Sequence, residues 1–175
     1  MKRSLTSMLF IVGCLMITDS YAQKVIVEGN RTIIDASGLR NTTKVKKATG
    51  SNGLYETLGT NNASNIGSKV SNEKVYYKFE VTRLNVGSNV SWVSAVSECQ
   101  KRGAGWRLPT QREWQLMCML RSELKALGGG FGDFSHANWA ATEFDAGKSW
   151  AINNTGTTAP ASKYDRNYVR CIKDL

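Results

Sequence analysis

Between Val75 and Leu84 the chain alternates, with Val75, Tyr77, Phe79 and Val81 on one side of an extended backbone and Tyr76, Lys78, Glu80 and Thr82 on the other. A period of two with one apolar face predicts a half-buried strand. The period then changes. Trp92, Ala95, Val96 and Cys99 recur at helical spacing, after Ser91, which suits a helix N-cap, and before Gly103 and Gly105, which end the helix. A second helix is predicted from Thr110-Gln111-Arg112-Glu113, a capping box in which hydroxyl and carboxylate each accept a backbone N–H. Its stripe runs through Trp114, Met117, Leu120, Leu124 and Leu127 to Gly128-Gly129-Gly130, and Pro109 holds Leu108 extended.

Weaker patterns flank this centre. Val25-Ile26-Val27 and Thr32-Ile33-Ile34 surround Gly29-Asn30, a two-residue turn signal, and predict a short hairpin. From Gly50 to Asn72 the chain is rich in Gly, Asn, Ser and Thr and is expected to be a long loop. Short strands are expected at 138–142, 149–153 and 168–173. Two amphipathic helices with strands before and after give an α+β domain. With 175 residues there is room for one such domain over 75–175 and an N-terminal extension over 23–74. That extension is either a hairpin completing the sheet or a segment for assembly with a partner.

The first 22 residues stand apart. Lys2 and Arg3 precede an apolar run from Leu5 to Thr18, and Ser20-Tyr21-Ala22 places small residues where a signal peptidase cuts. The run falls short of the ~20 residues a membrane span needs, so no transmembrane segment is expected. Ile11-Val12-Gly13-Cys14 also fits a lipobox, with Cys14 as a lipidated N-terminus. Either route predicts export, to the periplasm, the cell surface or the medium.

Export changes the cysteine count. Without Cys14 there remain Cys99, Cys118 and Cys171, of which two are expected to pair in an oxidising compartment. Cys118 lies inside the apolar helix, where a small buried thiol is usual. The expected bridge is therefore Cys99–Cys171, and closing its roughly 70-residue loop contributes about 4 kcal/mol in the chain-entropy account. No cysteine pair has zinc-ligand spacing, and no metal is assigned. The chain carries a net charge of +9, and its densest basic run is Lys44-Val45-Lys46-Lys47. Scattered cations without interleaved aromatics do not make a nucleic-acid surface, and none is expected.

One ordered set of motifs goes further. Trp92, Ala95, Cys99, Gly105-Trp106-Arg107-Leu108-Pro109-Thr110 and Glu113-Trp114 resemble the start of a bacterial C-type-lectin-like domain. Trp139-Ala140-Ala141-Thr142-Glu143, Ser149-Trp150, Lys163 and Val169-Arg170-Cys171-Ile172-Lys173-Asp174 continue the resemblance. Lcl-type C-terminal domains, the major paralogous domains of gut bacteria and the variable proteins of diversity-generating retroelements share this layout. The resemblance covers residues 75–175 and implies a C-type-lectin-like fold with its termini together and two helices packed on a small, twisted, mostly antiparallel sheet, used for secreted or surface-displayed binding.

Chemistry is sparse. His136 is the only histidine, no serine has an evident base partner, and Cys118 sits in an apolar setting that does not favour a thiolate. The lectin-like fold includes formylglycine-generating enzymes, but these use paired active-site cysteines, and one spare is left here. No enzymatic activity and no cofactor are expected. The calcium-binding lectins of the family use Glu-Pro-Asn or Gln-Pro-Asp with Trp-Asn-Asp, and none of these occurs. Asp133, Glu143, Asp145 and Asn153 are the remaining oxygen ligands, at undiagnostic spacing. Trp106, Trp139 and Trp150 are assigned to the core rather than to sugar stacking. Arg107 and Arg170 are assigned structural roles, with Glu98 or Glu113 as partners.

The candidate contact residues lie in polar stretches, whose other reading is plain solvated loop. They are Asn138, Glu143, Phe144, Asp145 and Lys148, then Asn153 and Asn154, and finally Lys163, Tyr164, Asp165, Arg166 and Asn167. Small amides and hydroxyls with an occasional aromatic are the composition of adaptable binding loops. The sequence thus predicts a secreted or surface-exposed, non-enzymatic binding module for a surface protein or glycan. The alternatives are a structural or tip subunit of a bacterial surface fibre and, further off, a formylglycine-generating-like enzyme.

Overall fold

The computed structural model describes residues 23–39, 42–43, 75–128, 136–153 and 155–175. Residues 1–22 with Cys14, the Gly50–Asn72 stretch and most of its surroundings, and Asp133 and Asn154 lie outside the described residues. The fold is mixed helix and sheet. Two five-stranded sheets take the place of the single small sheet expected, with a two-stranded parallel pair beside them.

The first sheet gathers the two ends of the described chain. It contains β1 (Lys24–Glu28), β2 (Arg31–Asp35), β5 (Lys78–Val81), β12 (Ile172–Asp174) and β7 (Trp106–Arg107), in the order β1-β2-β5-β12-β7, all antiparallel. The predicted hairpin is present: Glu28 faces Arg31 across Gly29-Asn30, and Gly29 has φ +58°, which a primed turn requires. β2 pairs with β5, so this hairpin extends the sheet of the C-terminal strands. The pair β3 (Thr42–Thr43) and β4 (Val75–Tyr76) stands apart.

The expected strand over Val75–Leu84 is correct only in its middle. Phe79 and Val81 are buried and Lys78 and Glu80 half-buried, as the alternation requires. The phase breaks at Tyr77, between β4 and β5, and it is Tyr76 that is buried. Its N–H donates to Glu113 Oε1 and its hydroxyl to the Leu175 carbonyl, partners that no local pattern announces.

The second sheet has the order β10-β9-β8-β11-β6, built from β6 (Gly87–Val90), β8 (Asn138–Glu143), β9 (Lys148–Ile152), β10 (Thr158–Ser162) and β11 (Asn167–Val169). β11 runs parallel to β8, and the other pairings are antiparallel. β8 is buried along its whole length and works as a backbone anchor. Trp114 donates its indole N–H to the Trp139 carbonyl at 3.0 Å, and Trp92 donates to the Ala140 carbonyl at 2.8 Å. Trp139 in turn donates to the Val90 carbonyl at 2.8 Å. Three large apolar side chains are thus buried without an unsatisfied indole. Trp106 and Trp150 are only half-buried, against expectation: the Arg102 guanidinium covers the Trp106 ring at 4.7 Å, and Trp150 meets Phe144 edge-on.

Helix α1 (Trp92–Gln100) buries Trp92, Ala95 and Cys99, and Ser91 accepts from the Ser94 N–H at its start. Helix α2 (Gln111–Met119) opens with the full capping box predicted. The second helix is not continuous, however. At Leu120 the backbone turns to φ −87°, ψ 16°, in the bridge region, and a short α3 (Arg121–Ala126) follows. Leu120 and Leu124 both remain buried in the core with Trp114 and Met117.

Cys99 and Cys171 form a disulfide 72 residues apart in sequence, with Cα atoms 5.5 Å apart, joining α1 to the chain just before β12. Arg107 is wholly buried and lies between two carboxylates. Its Nη1 and Nη2 donate to Glu113 Oε2 and Oε1 at 2.7 and 2.9 Å, and its Nε donates to Asp174 Oδ1 at 3.1 Å. Burial alone would lower the guanidinium's pKa, but the two carboxylates outweigh it and hold the charge firmly. Glu98 is engaged elsewhere, with Lys101. Arg170, also buried, donates to the carbonyls of Thr82 and Arg83 at 2.9 and 2.8 Å.

Candidate functional site

The turn after β8 and the segment after β10 meet at one end of the second sheet. β8 and β9 are joined through 144–147, and β10 brings Ser162 back opposite Lys148. From there Lys163 ties three pieces together. Its N–H donates to the Gly147 carbonyl at 2.8 Å, and its own carbonyl accepts the Trp92 N–H at 3.0 Å. Its ammonium donates to Glu143 Oε2 and, at 2.9 Å, to the Ala146 carbonyl, and lies 4.8 Å from the centre of the Trp92 ring.

The candidate residues therefore divide by place. Asn138 and Glu143 are 1% and 6% exposed and present no side chain to solvent. Asn138 donates to the His136 carbonyl, and Glu143 and Lys163 are turned on each other. Phe144 packs on the Trp150 ring with centroids 5.4 Å apart. Asp145 accepts the Gly147 N–H at 2.8 Å, and Asp165 accepts the Ser162 N–H at 3.0 Å, so each acid closes its own turn. Asn167 begins β11 opposite Val90. Lys148, Tyr164 and Arg166 are exposed, and Tyr164 is 87% so. Arg166 reaches back to the Asn89 carbonyl at 3.5 Å, where Asn89 has a positive φ of 56°.

Asn153 lies elsewhere. The turn between β9 and β10 is at the opposite end of that hairpin, where Asn153 Oδ1 accepts the N–H groups of Thr155 and Thr157, both at 3.0 Å. Gly156 there packs on α2, and a Cβ at this position would stand 3.2 Å from the Cys118 Cβ. Asn153 is thus not assembled with the Lys148–Tyr164 end. Of the oxygen ligands considered for calcium, Glu143 is held by Lys163, Asp145 closes its own turn, Asn153 lies at the far end of the hairpin, and Asp133 is outside the described residues. No group of three or more metal-ligating side chains occurs among the described residues.

Two features of this face escape the sequence. β10 carries Pro160 and no apolar alternation, yet it is a strand, because Pro160 lies on the sheet's outer edge where its missing N–H costs no ladder bond. The Lys163–Glu143 pair joins residues 20 apart with no local signal. His136 stacks flat on Tyr168 at 4.3 Å between centroids. The free thiol of Cys118 has its pKa raised by burial, against the opposing charge of Arg121. No helix among the described residues is long and apolar enough to cross a membrane. No protein-family model matches the chain, and no curated protein matches it.

Proposed function

We propose that this chain is an exported, non-enzymatic binding protein on a C-type-lectin-like scaffold, holding a surface protein or glycan without calcium. Its contact face is the end of the second sheet carrying Lys148, Tyr164 and Arg166. The observation that carries the reading is Tyr164: an aromatic side chain 87% exposed between two anchored neighbours. Lys163 is tied to Gly147, Ala146 and Glu143, and Asp165 to Ser162. A large amphipathic ring on a stiff loop loses little entropy on binding, and such residues dominate interface energies.

The scaffold part of the reading is supported by the α1-to-C-terminus disulfide and by the terminal strands sharing one sheet. The non-enzymatic part is supported by Cys118, whose burial disfavours the thiolate a nucleophile would need. The test is a glycan array together with a panel of purified surface proteins. Tyr164→Ala is expected to lower affinity for the ligand found by roughly 30-fold or more, as truncating a hot-spot aromatic does. Asn153→Ala, at the other end of the hairpin, is expected to leave it unchanged. A ligand that binds both variants as well as the parent chain rules out this face.

A further inference from the structure

The edges of the two five-stranded sheets are not alike. β7 has two residues, β10 carries Pro160, and β6 pairs irregularly with β11 around the positive-φ Asn89. Short length, proline and irregular pairing are devices that keep a sheet edge from recruiting another strand. β1 has none of them. Its register with β2 is unbroken over five residues, and on its other side no strand is paired among the described residues.

The sequence of β1 is Lys24-Val25-Ile26-Val27-Glu28, with its only charges at the two ends and of opposite sign. A two-residue turn closes on a hydrogen-bonded pair, here Glu28 and Arg31, so parity directs the N–H and C=O groups of Lys24, Ile26 and Glu28 towards β2. Those of Val25 and Val27 then face the open edge. Beside that edge lies a groove of about 460 Å³ lined by Val25, Val27, Leu120, Ala126 and Leu127. Val27 is 46% exposed there.

We infer that the open edge of β1 pairs with the same edge of a second copy of this chain, antiparallel about Ile26, in a two-fold symmetric dimer. Antiparallel pairing centred on Ile26 sets Val25 against the partner's Val27, and each valine both donates and accepts across the junction. It sets Lys24 against the partner's Glu28, and the symmetry repeats that ion pair at the other end. A parallel pairing would instead stack like charges at both ends. The paired valines lie on the face that carries the groove, so the partner's Val27 also covers apolar surface beside Leu120 and Leu127. In the single chain Lys24 and Glu28 make only loose ion pairs, at 4.0 Å with Asp35 and 3.6 Å with Arg31, and both side chains are at least half exposed. They are free to be recruited.

Charge reversal tests this by sedimentation of the purified chain. Lys24→Glu and Glu28→Lys each turn both end pairs repulsive, and each is expected to weaken the dimer by about tenfold or more. An equimolar mixture of the two variants restores attraction at both ends and is expected to give a heterodimer. The double variant is expected to dimerise like the parent. In a Cys118→Ser background, Ile26→Cys is expected to form a covalent dimer on mild oxidation, because residues at a non-hydrogen-bonded antiparallel position stand close enough for a disulfide. Circular dichroism establishes that each variant is folded. A monomeric parent chain overturns the proposal, as do variants that dimerise as well as the parent or a mixture that does not. Slow amide exchange at Val25 and Val27 in a monomer assigns the edge to another segment of the same chain and overturns it too.

Discussion

Arg107 and Asp174, 67 residues apart in sequence, are joined inside the protein by the Arg107 Nε and Nη2 donors, both on Asp174 Oδ1. The same guanidinium grips Glu113 at the start of α2, and Glu113 also accepts the N–H groups of Thr110 and Tyr76. One buried charge thus fixes the C-terminal strand, the N-terminus of α2 and the Tyr76 segment to one another. Either carboxylate alone still balances the Arg107 charge, so Asp174→Ala leaves guanidinium N–H donors short of an acceptor and is expected to cost about 1–3 kcal/mol in urea unfolding. Glu113→Ala also strips the acceptor from the Thr110 and Tyr76 N–H groups and is expected to cost more, about 3–5 kcal/mol. A loss below about 1 kcal/mol, the range of an exposed pair, would mean that the cluster is hydrated.

The cap of α2 gives a smaller and separable effect. Thr110 Oγ1 accepts the Glu113 N–H at 3.2 Å, and Glu113 Oε2 accepts the Thr110 N–H at 2.9 Å. Thr110→Ala removes only the hydroxyl half and is expected to cost about 1 kcal/mol. Because Thr110 shares Glu113 with Arg107, the Thr110→Ala and Asp174→Ala effects are expected to depart from additivity in a double-mutant cycle. Strict additivity would place the cap and the ion cluster in independent units.

These two cases mark what was legible in the sequence. The capping box, the α1 stripe and the Gly29-Asn30 hairpin are set by residues within a few positions of each other, so their patterns survive in the linear chain. The Cys99–Cys171 bridge was legible because setting Cys14 aside leaves three cysteines and few pairings, and one of the three sits in an apolar helix. Arg107 was recognisable as structural, and Glu113 as a partner, but nothing local names Asp174. The break at Leu120 preserves apolar spacing and so leaves no trace in the pattern. β10 was hidden because an edge strand tolerates proline and need not alternate. The candidate site was legible as a composition and not as a geometry: Glu143, Asp145, Lys163 and Asp165 are consumed by loop closure, while Lys148, Tyr164 and Arg166 remain exposed.

That division predicts opposite behaviour from adjacent residues. Lys163→Ala removes a buried ion pair with Glu143 and the tie to the Ala146 carbonyl, and is expected to lower the melting temperature by several degrees. Tyr164→Ala, at an exposed position, is expected to leave melting within about 0.5 kcal/mol of the parent. Differential scanning calorimetry on the two variants decides it. Equal melting would free Lys163 for ligand contact and undo the assignment of Lys163 as a clamp.

Cys118 reports on how α2 meets the β9–β10 turn. Burial raises its pKa, with Arg121 opposing, so folding favours the neutral thiol. The sign follows directly: this contribution is fully present below the free-thiol value of about 8.5 and is lost as pH rises through the folded value. Cys118→Ser removes that titration, and the stability difference between the two proteins is expected to shift in favour of the variant as pH rises above 9. Modification by a neutral thiol reagent at pH 8 is expected to be slower than in urea, where the thiol is released. Gly156→Ala sharpens the test, since Gly156 has φ +84° and a Cβ there would stand 3.2 Å from the Cys118 Cβ. Strain at the turn should lift it from α2 and speed modification, while costing about 1–3 kcal/mol of stability. If the variant loses stability but Cys118 reacts no faster, the turn does not shield the thiol, and its raised pKa must come from the helix surroundings alone.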